Sequence, residues 1–334
     1  MANITIYDFI KSNTKKTVLL MILFILSLTI MFYLGILMIN GITKISETSQ
    51  MSVLTATNHM AIDILPIVSV IAILWILVSY YTGQNFILSV TGAVELTKQN
   101  APETIKIVEN IAITAGLPIP KVYSINDEGL NAFATGRDPN HSYIVLTKGI
   151  VNKLEKSELE GVIAHEIAHI RNRDTQLMLI MVVCISFATI AAEILLRFAL
   201  TARTNNSKNN RSATTGGIQL IMVASAIILY VYGYLAAPLI RFAMSRTREF
   251  QADATAAFIT RNPQGLMNAL IKISENSMVK KLSNKQAMSP LCIANPLAKN
   301  KQKSFFAKVS GLFTTHPLIE DRIKALQTMD RGYE

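Results

Sequence analysis

Five consecutive residues of this 334-residue chain have the types and the spacing that bind a metal ion and activate water. They read His165-Glu-Ile-Ala-His169, an HExxH motif within a segment that we expect to be helical. Residues four apart on a helix share a face, so both imidazoles can reach one ion. Glu166 stands beside them, placed to transfer a proton of that water. Taken alone, the motif also fits a surface helix that happens to carry two histidines.

Two histidines do not complete such a site, because catalytic zinc usually takes three protein ligands and leaves one position for water. No further histidine lies near the motif, so we expect an acidic ligand on another helix. The segment Arg246-Thr-Arg-Glu-Phe-Gln-Ala-Asp253 places Glu249 and Asp253 on one helix face. One carboxylate can bind the metal while the other accepts a hydrogen bond from a ligating imidazole. Carboxylates beside arginines are, however, also typical of a solvated, salt-bridged helix face.

The composition indicates that membrane helices surround these residues. Hydrophobic residues make up 51% of the chain and charged residues only 16%, a balance typical of a membrane protein with a water-exposed part. The sequence contains four long apolar runs, and we expect them to form membrane spans at about 18–39, 64–81, 177–200 and 218–240. The predicted organisation is a membrane helical hairpin over 1–82, the first catalytic part over 83–176, a second hairpin over 177–240 and the second catalytic part over 241–334.

The formal net charge of +10 favours membrane-surface contact over a nucleic-acid partner, because the basic residues are scattered or lie close to the apolar runs. Lysines at 11, 15 and 16 precede the first run and favour a cytoplasmic amino terminus and catalytic domain. The predicted basic loop over 201–217 favours the opposite orientation. Positive charge disfavours its translocation, so it conflicts with a cytoplasmic catalytic domain if both later runs cross the membrane. Two cysteines, without a cluster, predict neither a disulfide framework nor a thiolate zinc site.

The sequence between the two predicted hairpins, residues 83–176, predicts a small sheet and a helix that carries the HExxH motif. Strand-like runs cover Lys121–Ile125, Asn131–Thr135 and Ser142–Thr147, and an amphipathic helix precedes them. We expect the HEIAH helix to start near Ser157, where the S-x-x-E pattern is typical of a capping box, and to continue into the following apolar run. The predicted fold is an integral membrane α-helical protein with a mainly α, zincin-like catalytic domain of the α+β type that contains a small sheet.

Several motifs, in a fixed order, resemble the HtpX group of membrane zinc endopeptidases, which is related to the CAAX prenyl proteases. They are HEIAH, the later SRTREFQAD, Thr315-His-Pro317, Ile293-Ala-Asn-Pro-Leu297 and Asn131-Ala-Phe133. The resemblance extends over nearly the whole chain and includes apolar runs on both sides of the HExxH motif. HEIAH alone is moderately specific, whereas HEIAH followed at this spacing by EFQAD and THP is highly specific.

The resemblance implies a role for each matching residue. His165, His169 and Glu249 would bind one zinc ion per chain, Glu166 would be the general base, and Asp253 would support a ligand. His316 would face the reacting carbonyl, and Asn131 would lie on the strand that receives the substrate backbone.

The resemblance also implies a biological role. We expect a multi-pass protein of the cell membrane that hydrolyses peptide bonds of misfolded or damaged membrane proteins as quality control. Its partners would be peptide substrates, the lipid bilayer and other membrane quality-control proteases.

Two alternatives come from other functional classes. A membrane scaffold or chaperone could hold a structural zinc ion, but structural zinc is normally closed by four protein ligands, whereas three ligands and an adjacent base favour catalysis. A transporter is the second alternative, since Glu193, Arg197 and Asp63 lie in or near the apolar runs. Transporters usually devote more spans to that task.

Overall fold

The computed structural model describes residues 6–43, 50–205, 222–232, 246–279, 292–293 and 317–330. The chain divides into two compact units. The first, which we call the catalytic unit, comprises Met1–Thr17, Tyr80–Val182 and Pro238–Glu334. The second, which we call the apolar unit, comprises Val18–Ser79 and Val183–Ala237. Both histidines of the HExxH motif and the acidic candidates Glu249 and Asp253 belong to the catalytic unit.

Three helices are long and apolar enough to cross a membrane. They are α1 (Ile6–Thr43), α2 (Gln50–Thr91) and α6 (Asp174–Asn205), with candidate spans over Ile10–Leu37, Leu54–Thr91 and Asp174–Thr201. The helices extend beyond the predicted spans because helical geometry continues through their polar flanks, and α2 tolerates Pro66 in its interior. Within the fourth predicted span, the described part is the shorter apolar helix α7 (Met222–Tyr232).

The surface of the apolar unit is rich in large hydrophobic side chains. Ile62 and Ile67 are 70% and 61% exposed, and similar side chains line α1 and α2. Inside this unit, the Phe187 ring packs edge-on against Phe24 at 5.7 Å, and it packs at a tilt of 60° against Trp75 at 5.1 Å, measured between ring centroids. Contiguous exposed apolar surface of this extent suits contact with lipid rather than water.

The catalytic unit contains the small sheet that the sequence predicts. Its strands are β1 (Val94–Leu96), β2 (Lys121–Ile125), β3 (Ala132–Asp138) and β4 (His141–Thr147), in the order β1-β2-β4-β3. The β2–β4 pair is parallel and the other pairs are antiparallel, so β3 forms one edge of the sheet. The mainly α prediction with a small sheet is confirmed.

Helices cover this sheet and build the core of the unit. They are α3 (Pro102–Thr114), α4 (Lys148–Lys153), α5 (Lys156–Arg171), α8 (Arg246–Thr260), α9 (Pro263–Glu275) and α10 (Ile319–Asp330). The helix α5 is central, and its side chains Val162, Ile163 and Ile167 are fully buried. Gly161 lets α9 approach closely, because a Cβ there would lie 2.7 Å from the backbone nitrogen of Leu266.

The start of α5 differs from the prediction. Glu155, not Ser157, is the N-cap, and it forms the capping box with Glu158 three residues later. The Glu155 N–H donates to the Glu158 carboxylate at 2.8 Å. That carboxylate also accepts from the partly exposed Lys272 of α9 at 2.7 Å, and this contact favours a box two residues earlier than the S-x-x-E pattern indicates.

The end of α5 differs as well, because the HEIAH helix does not continue into the apolar run. It ends at Arg171, and Arg173 adopts a left-handed backbone conformation with φ of 62°. A residue with a side chain rarely takes this conformation, and it breaks a helix where it occurs. The next helix, α6, begins at Asp174, whose side chain is thereby turned back toward the HExxH motif.

Candidate metal centre

Three side chains from α5 and α8 converge in the interior of the catalytic unit. His165 and His169 are one turn apart on α5, and Glu249 comes from the first turn of α8. The two imidazole Nε2 atoms lie 3.1 Å apart. The Glu249 carboxylate oxygens lie 3.8 Å from Nε2 of His165 and 3.7 Å from Nε2 of His169. Among the described residues, these three form a group that could hold a metal ion.

These distances fit a zinc ion. Ligand atoms at 2.0–2.2 Å from a tetrahedral ion are about 3.3 Å from one another, and the three separations here run from 3.1 to 3.8 Å. Two neutral imidazoles and one carboxylate are also a donor set that catalytic zinc prefers, with a further position left for water. The residues present therefore fit the metal that the HExxH motif predicts.

The contact between the two Nε2 atoms requires a cation. Each Nδ1 faces a carboxylate and carries its proton there, so bare Nε2 lone pairs at 3.1 Å would repel. Burial lowers the pKa of His165 to about 4, which keeps this imidazole neutral. Burial also acts to lower the pKa of His169, but the hydrogen bond to Asp174 and the charge of Glu249 raise it to about 9. With the protein's own groups alone, a further proton therefore lies between the two Nε2 atoms, in addition to the one on each Nδ1, and a metal ion would displace it.

Asp253 lies in the position expected of a ligand-orienting carboxylate. Its Oδ1 accepts from Nδ1 of His165 at 2.9 Å, which leaves Nε2 to face the metal position. Arg322 of α10 donates to the same carboxylate through Nε at 2.8 Å and Nη2 at 2.6 Å. Burial acts to raise the pKa of Asp253, but the charge of Arg322 outweighs it and the pKa is lowered. Asp253 is therefore an ionised acceptor.

Arg322 is a residue of this site that the sequence reasoning missed. It is fully buried, which is rare for an arginine, and its Nη1 donates to the carbonyl of Ile293 at 3.2 Å. Its Nη1 also lies 3.8 Å from Glu249. The guanidinium therefore joins α10, α8 and the segment at Ile293 around the metal centre. The sequence signal for it was weak, because one arginine in a charged helix resembles any exposed one.

Asp174 is the second residue that the sequence reasoning missed. Its Oδ2 accepts from Nδ1 of His169 at 2.9 Å, so each histidine has its own carboxylate. Arg248 donates to Oδ1 of Asp174 at 3.2 Å, just as Arg322 donates to Asp253. A signal for it existed in the polar triplet Asn172-Arg-Asp174, which separates the motif from the apolar run. The expectation of one continuous helix placed Asp174 away from His169.

Glu166 lies on the same buried face of α5, with 2% of its surface exposed. The backbone N–H of Ala134, on the edge strand β3, donates a hydrogen bond to its carboxylate. Burial raises the pKa of Glu166 to about 7, although the charge of His169 opposes the shift. A carboxylate with a pKa near neutrality can both accept and return a proton at physiological pH.

Asn131 and His316 are the two remaining predicted residues, and Asn131 is not one of the three converging ligand residues. Asn131 precedes β3 and is buried, and its side chain donates to the Ser277 carbonyl at 3.2 Å and accepts from the Ala132 N–H at 3.0 Å. These contacts fix the start of β3, and a role of Asn131 toward substrate stays a prediction. His316 lies outside the described residues, so its position toward the site stays a prediction as well.

Apolar helices of membrane length, joined to a buried HExxH group with a glutamate from a second helix, define a membrane metallopeptidase. The model of Peptidase family M48 matches residues 98–330 of the chain. The chain therefore belongs to peptidase family M48, which confirms the predicted membrane metalloprotease and the resemblance to the HtpX group.

Curated relatives match the chain over almost its entire length. A "Protease HtpX homolog" of Bacteroides fragilis (strain YCH46) is 36% identical over 318 residues, which are 94% of this chain and 96% of the relative. One from Dictyoglomus turgidum is 35% identical over 340 residues, covering 100% and 98%. Among solved structures, that of S. mikatae Ste24p is 20% identical with a TM-score of 0.44, and the match covers 89% of this chain and 61% of that chain.

Proposed function

We propose that the chain is a zinc-dependent endopeptidase in which His165, His169 and Glu249 hold one zinc ion. The observation that carries the proposal is the convergence of three ligand residues, whose nitrogen and oxygen atoms lie 3.1–3.8 Å apart, with each imidazole oriented by its own carboxylate. Zinc held by these residues lowers the pKa of a water molecule to about 7 and polarises the carbonyl of the scissile peptide bond.

The chain's own residues supply the proton transfers. Glu166 accepts the proton of the attacking water and then donates it to the nitrogen of the leaving amine. Its raised pKa, about 7, suits both halves of this transfer. The hydrogen bond from the Ala134 N–H restricts the orientation of this carboxylate. We also propose, from the family resemblance, that His316 stabilises the developing negative charge on the carbonyl oxygen.

We propose that an extended substrate pairs with the outer edge of β3. Alternate residues of an edge strand direct their N–H and C=O groups outward, and Ala132 belongs to this set because its carbonyl accepts from the Ile293 N–H at 2.9 Å. The next outward groups are the Ala134 carbonyl and the main chain of Gly136, because the Ala134 N–H donates to Glu166. Pairing there would place a peptide beside Glu166 through main-chain bonds, which are largely independent of sequence. Such recognition suits unfolded segments of misfolded or damaged membrane proteins as substrates.

Zinc content and cleavage, measured together, test this proposal. Purified protein is expected to contain about one zinc ion per chain and to cleave a casein-type substrate. Removal of zinc by a chelator should abolish cleavage, and added zinc should restore it. Glu249→Gln should lower zinc content, because the neutral amide is a much poorer ligand. Full cleavage by zinc-free protein would exclude the proposed function, and bound zinc without cleavage would favour the scaffold with a structural ion.

Labelling from one side of the membrane tests the proposed cytoplasmic orientation of the catalytic unit. Lys324 is exposed on α10, and both native cysteines are buried, so Lys324→Cys offers a single accessible thiol. A membrane-impermeant maleimide is expected to label this variant in inverted vesicles, whose cytoplasmic face is outward, and not in intact cells. Labelling in intact cells would place the catalytic unit on the opposite side. Proteolytic cleavage within residues 201–217 in the same vesicles would show whether the second predicted hairpin crosses the membrane.

A further inference from the structure

We infer that Asn13, in the first turns of α1, positions Asp174 and through it the zinc ligand His169. The inference rests on the proposed zinc site and adds a residue that no part of the HExxH pattern includes. It makes the helix that begins the chain a structural part of the metal centre. Asn13, Asp174 and His169 all belong to the catalytic unit.

The side-chain amide of Asn13 donates two hydrogen bonds to the turn between α5 and α6. Asn13 is 3% exposed, and its Nδ2 donates to Oδ1 of Asp174 at 2.8 Å. The same Nδ2 donates to the carbonyl of Asn172 at 2.9 Å. Asn172 is the C-cap of α5, directly before the left-handed Arg173. One amide group therefore fixes both the carboxylate and the backbone of the turn that presents it.

The two carboxylate oxygens of Asp174 accept hydrogen bonds from different partners, and Asn13 is the nearer partner of one of them. Oδ2 accepts from Nδ1 of His169 at 2.9 Å, and Oδ1 accepts from Asn13 at 2.8 Å and from Arg248 at 3.2 Å. Asp174 is fully buried, so water cannot take over a lost donor without opening the structure. Without the Asn13 donor, Oδ1 would keep only the longer contact from Arg248, so the carboxylate and the imidazole ring that it orients would be held less firmly.

The surface that α1 presents here is polar rather than apolar. Asn13 and Thr17, one turn apart, are buried, whereas Thr14, Lys15 and Lys16 between them are exposed. The Thr17 hydroxyl donates to the carbonyl of Asn13 within the helix at 2.9 Å. Apolar packing would tolerate small rotations of α1, but a buried amide with two acceptors holds only one orientation. The contact is therefore specific, and it joins the beginning of a candidate membrane span to the metal ligand.

Zinc affinity of the full-length protein tests the inference. Asn13→Ala is expected to weaken zinc binding about 10–100-fold in competition with a chromophoric chelator, as loss of a ligand's outer partner does in other sites. Asn13→Asp should weaken it further, because a second carboxylate would face Asp174. Thr14→Ala, on the exposed side of the same helix, is the matched control and should leave affinity unchanged. Asn13→Ser, which retains one short donor, provides the same comparison should the alanine variant not fold.

Two further measurements separate positioning from a general loss of structure. The visible absorption of Co²⁺-substituted protein reports ligand geometry, and it should change in Asn13→Ala and not in Thr14→Ala. If Asn13 acts through Asp174, adding Asn13→Ala to an Asp174→Ala variant should lower zinc affinity no further. Wild-type affinity and an unchanged Co²⁺ spectrum in Asn13→Ala would overturn the inference. Absence of zinc binding in the wild-type protein would instead overturn the proposed function itself.

Discussion

Glu166→Gln is expected to lower peptide cleavage about 10²–10⁴-fold, with zinc content unchanged. The amide has the shape of the acid but cannot accept the proton of the attacking water. Glu166 is not one of the three converging ligand residues, so the metal should stay bound. The side chain is buried and its pKa is raised to about 7 by that burial, so a neutral isostere should fold without penalty. The measurement is casein-type cleavage and metal analysis on the same preparation.

The matched control for this variant is Glu160→Gln. Glu160 lies on the same helix, outside the converging group, and the same charge is removed. Its cleavage rate should equal that of the wild-type protein. Cleavage by Glu166→Gln at the wild-type rate would show that another group is the base, and loss of zinc in this variant would show that Glu166 serves the metal instead.

Arg322→Met should have the largest effect on stability. Arg322 and Asp253 are both fully buried and joined by two hydrogen bonds at 2.6 and 2.8 Å. Removing one partner of a buried pair leaves an uncompensated charge and typically costs about 3–5 kcal/mol. For a unit of this size the melting temperature should fall by roughly 6–20 °C. Thermal unfolding in detergent, followed by circular dichroism, measures the change.

Two variants test the origin of this loss. Lys324→Met removes an exposed positive charge two residues along the same helix, and it should change stability by no more than about 0.5 kcal/mol. Adding Asp253→Asn to Arg322→Met should recover part of the lost stability, because the buried charge is then removed as well. A melting temperature of Arg322→Met equal to that of Lys324→Met would contradict the ion pair as a source of stability.

The sequence predicted the parts of the site that depend on local spacing. The i, i+4 relation places His165 and His169 on one face wherever that segment is helical, and the same relation brings Glu249 and Asp253 together. Convergence of the two helices was expected from the chemistry of zinc, which needs a third ligand, and from the family resemblance. The four-stranded sheet was largely predicted because alternating strands and turn residues mark it locally, although β1 was not.

What the sequence could not predict depends on contacts between distant segments. Arg322 is 69 residues from Asp253, and nothing in its own helix distinguishes it from an exposed arginine. Asp174 was assigned to a continuous helix, because one left-handed residue at Arg173 leaves no clear pattern. The N-cap is Glu155 rather than Ser157, because Glu158 of its capping box also forms an ion pair with Lys272 of α9, a contact that local sequence does not show.

Arg322 follows the ligand His165 by 157 residues in the chain, and this order has a consequence for biosynthesis. A ribosome makes the HEIAH helix and Glu249 long before it reaches α10, so a nascent chain carries its ligands while Asp253 still lacks the guanidinium. We expect such a chain to hold His165 loosely, because Asp253 orients this ligand, and therefore to hydrolyse peptides slowly. Because α10 is translated after the zinc ligands, the newly made polypeptide and nearby membrane proteins would be hydrolysed only slowly before the catalytic unit is complete.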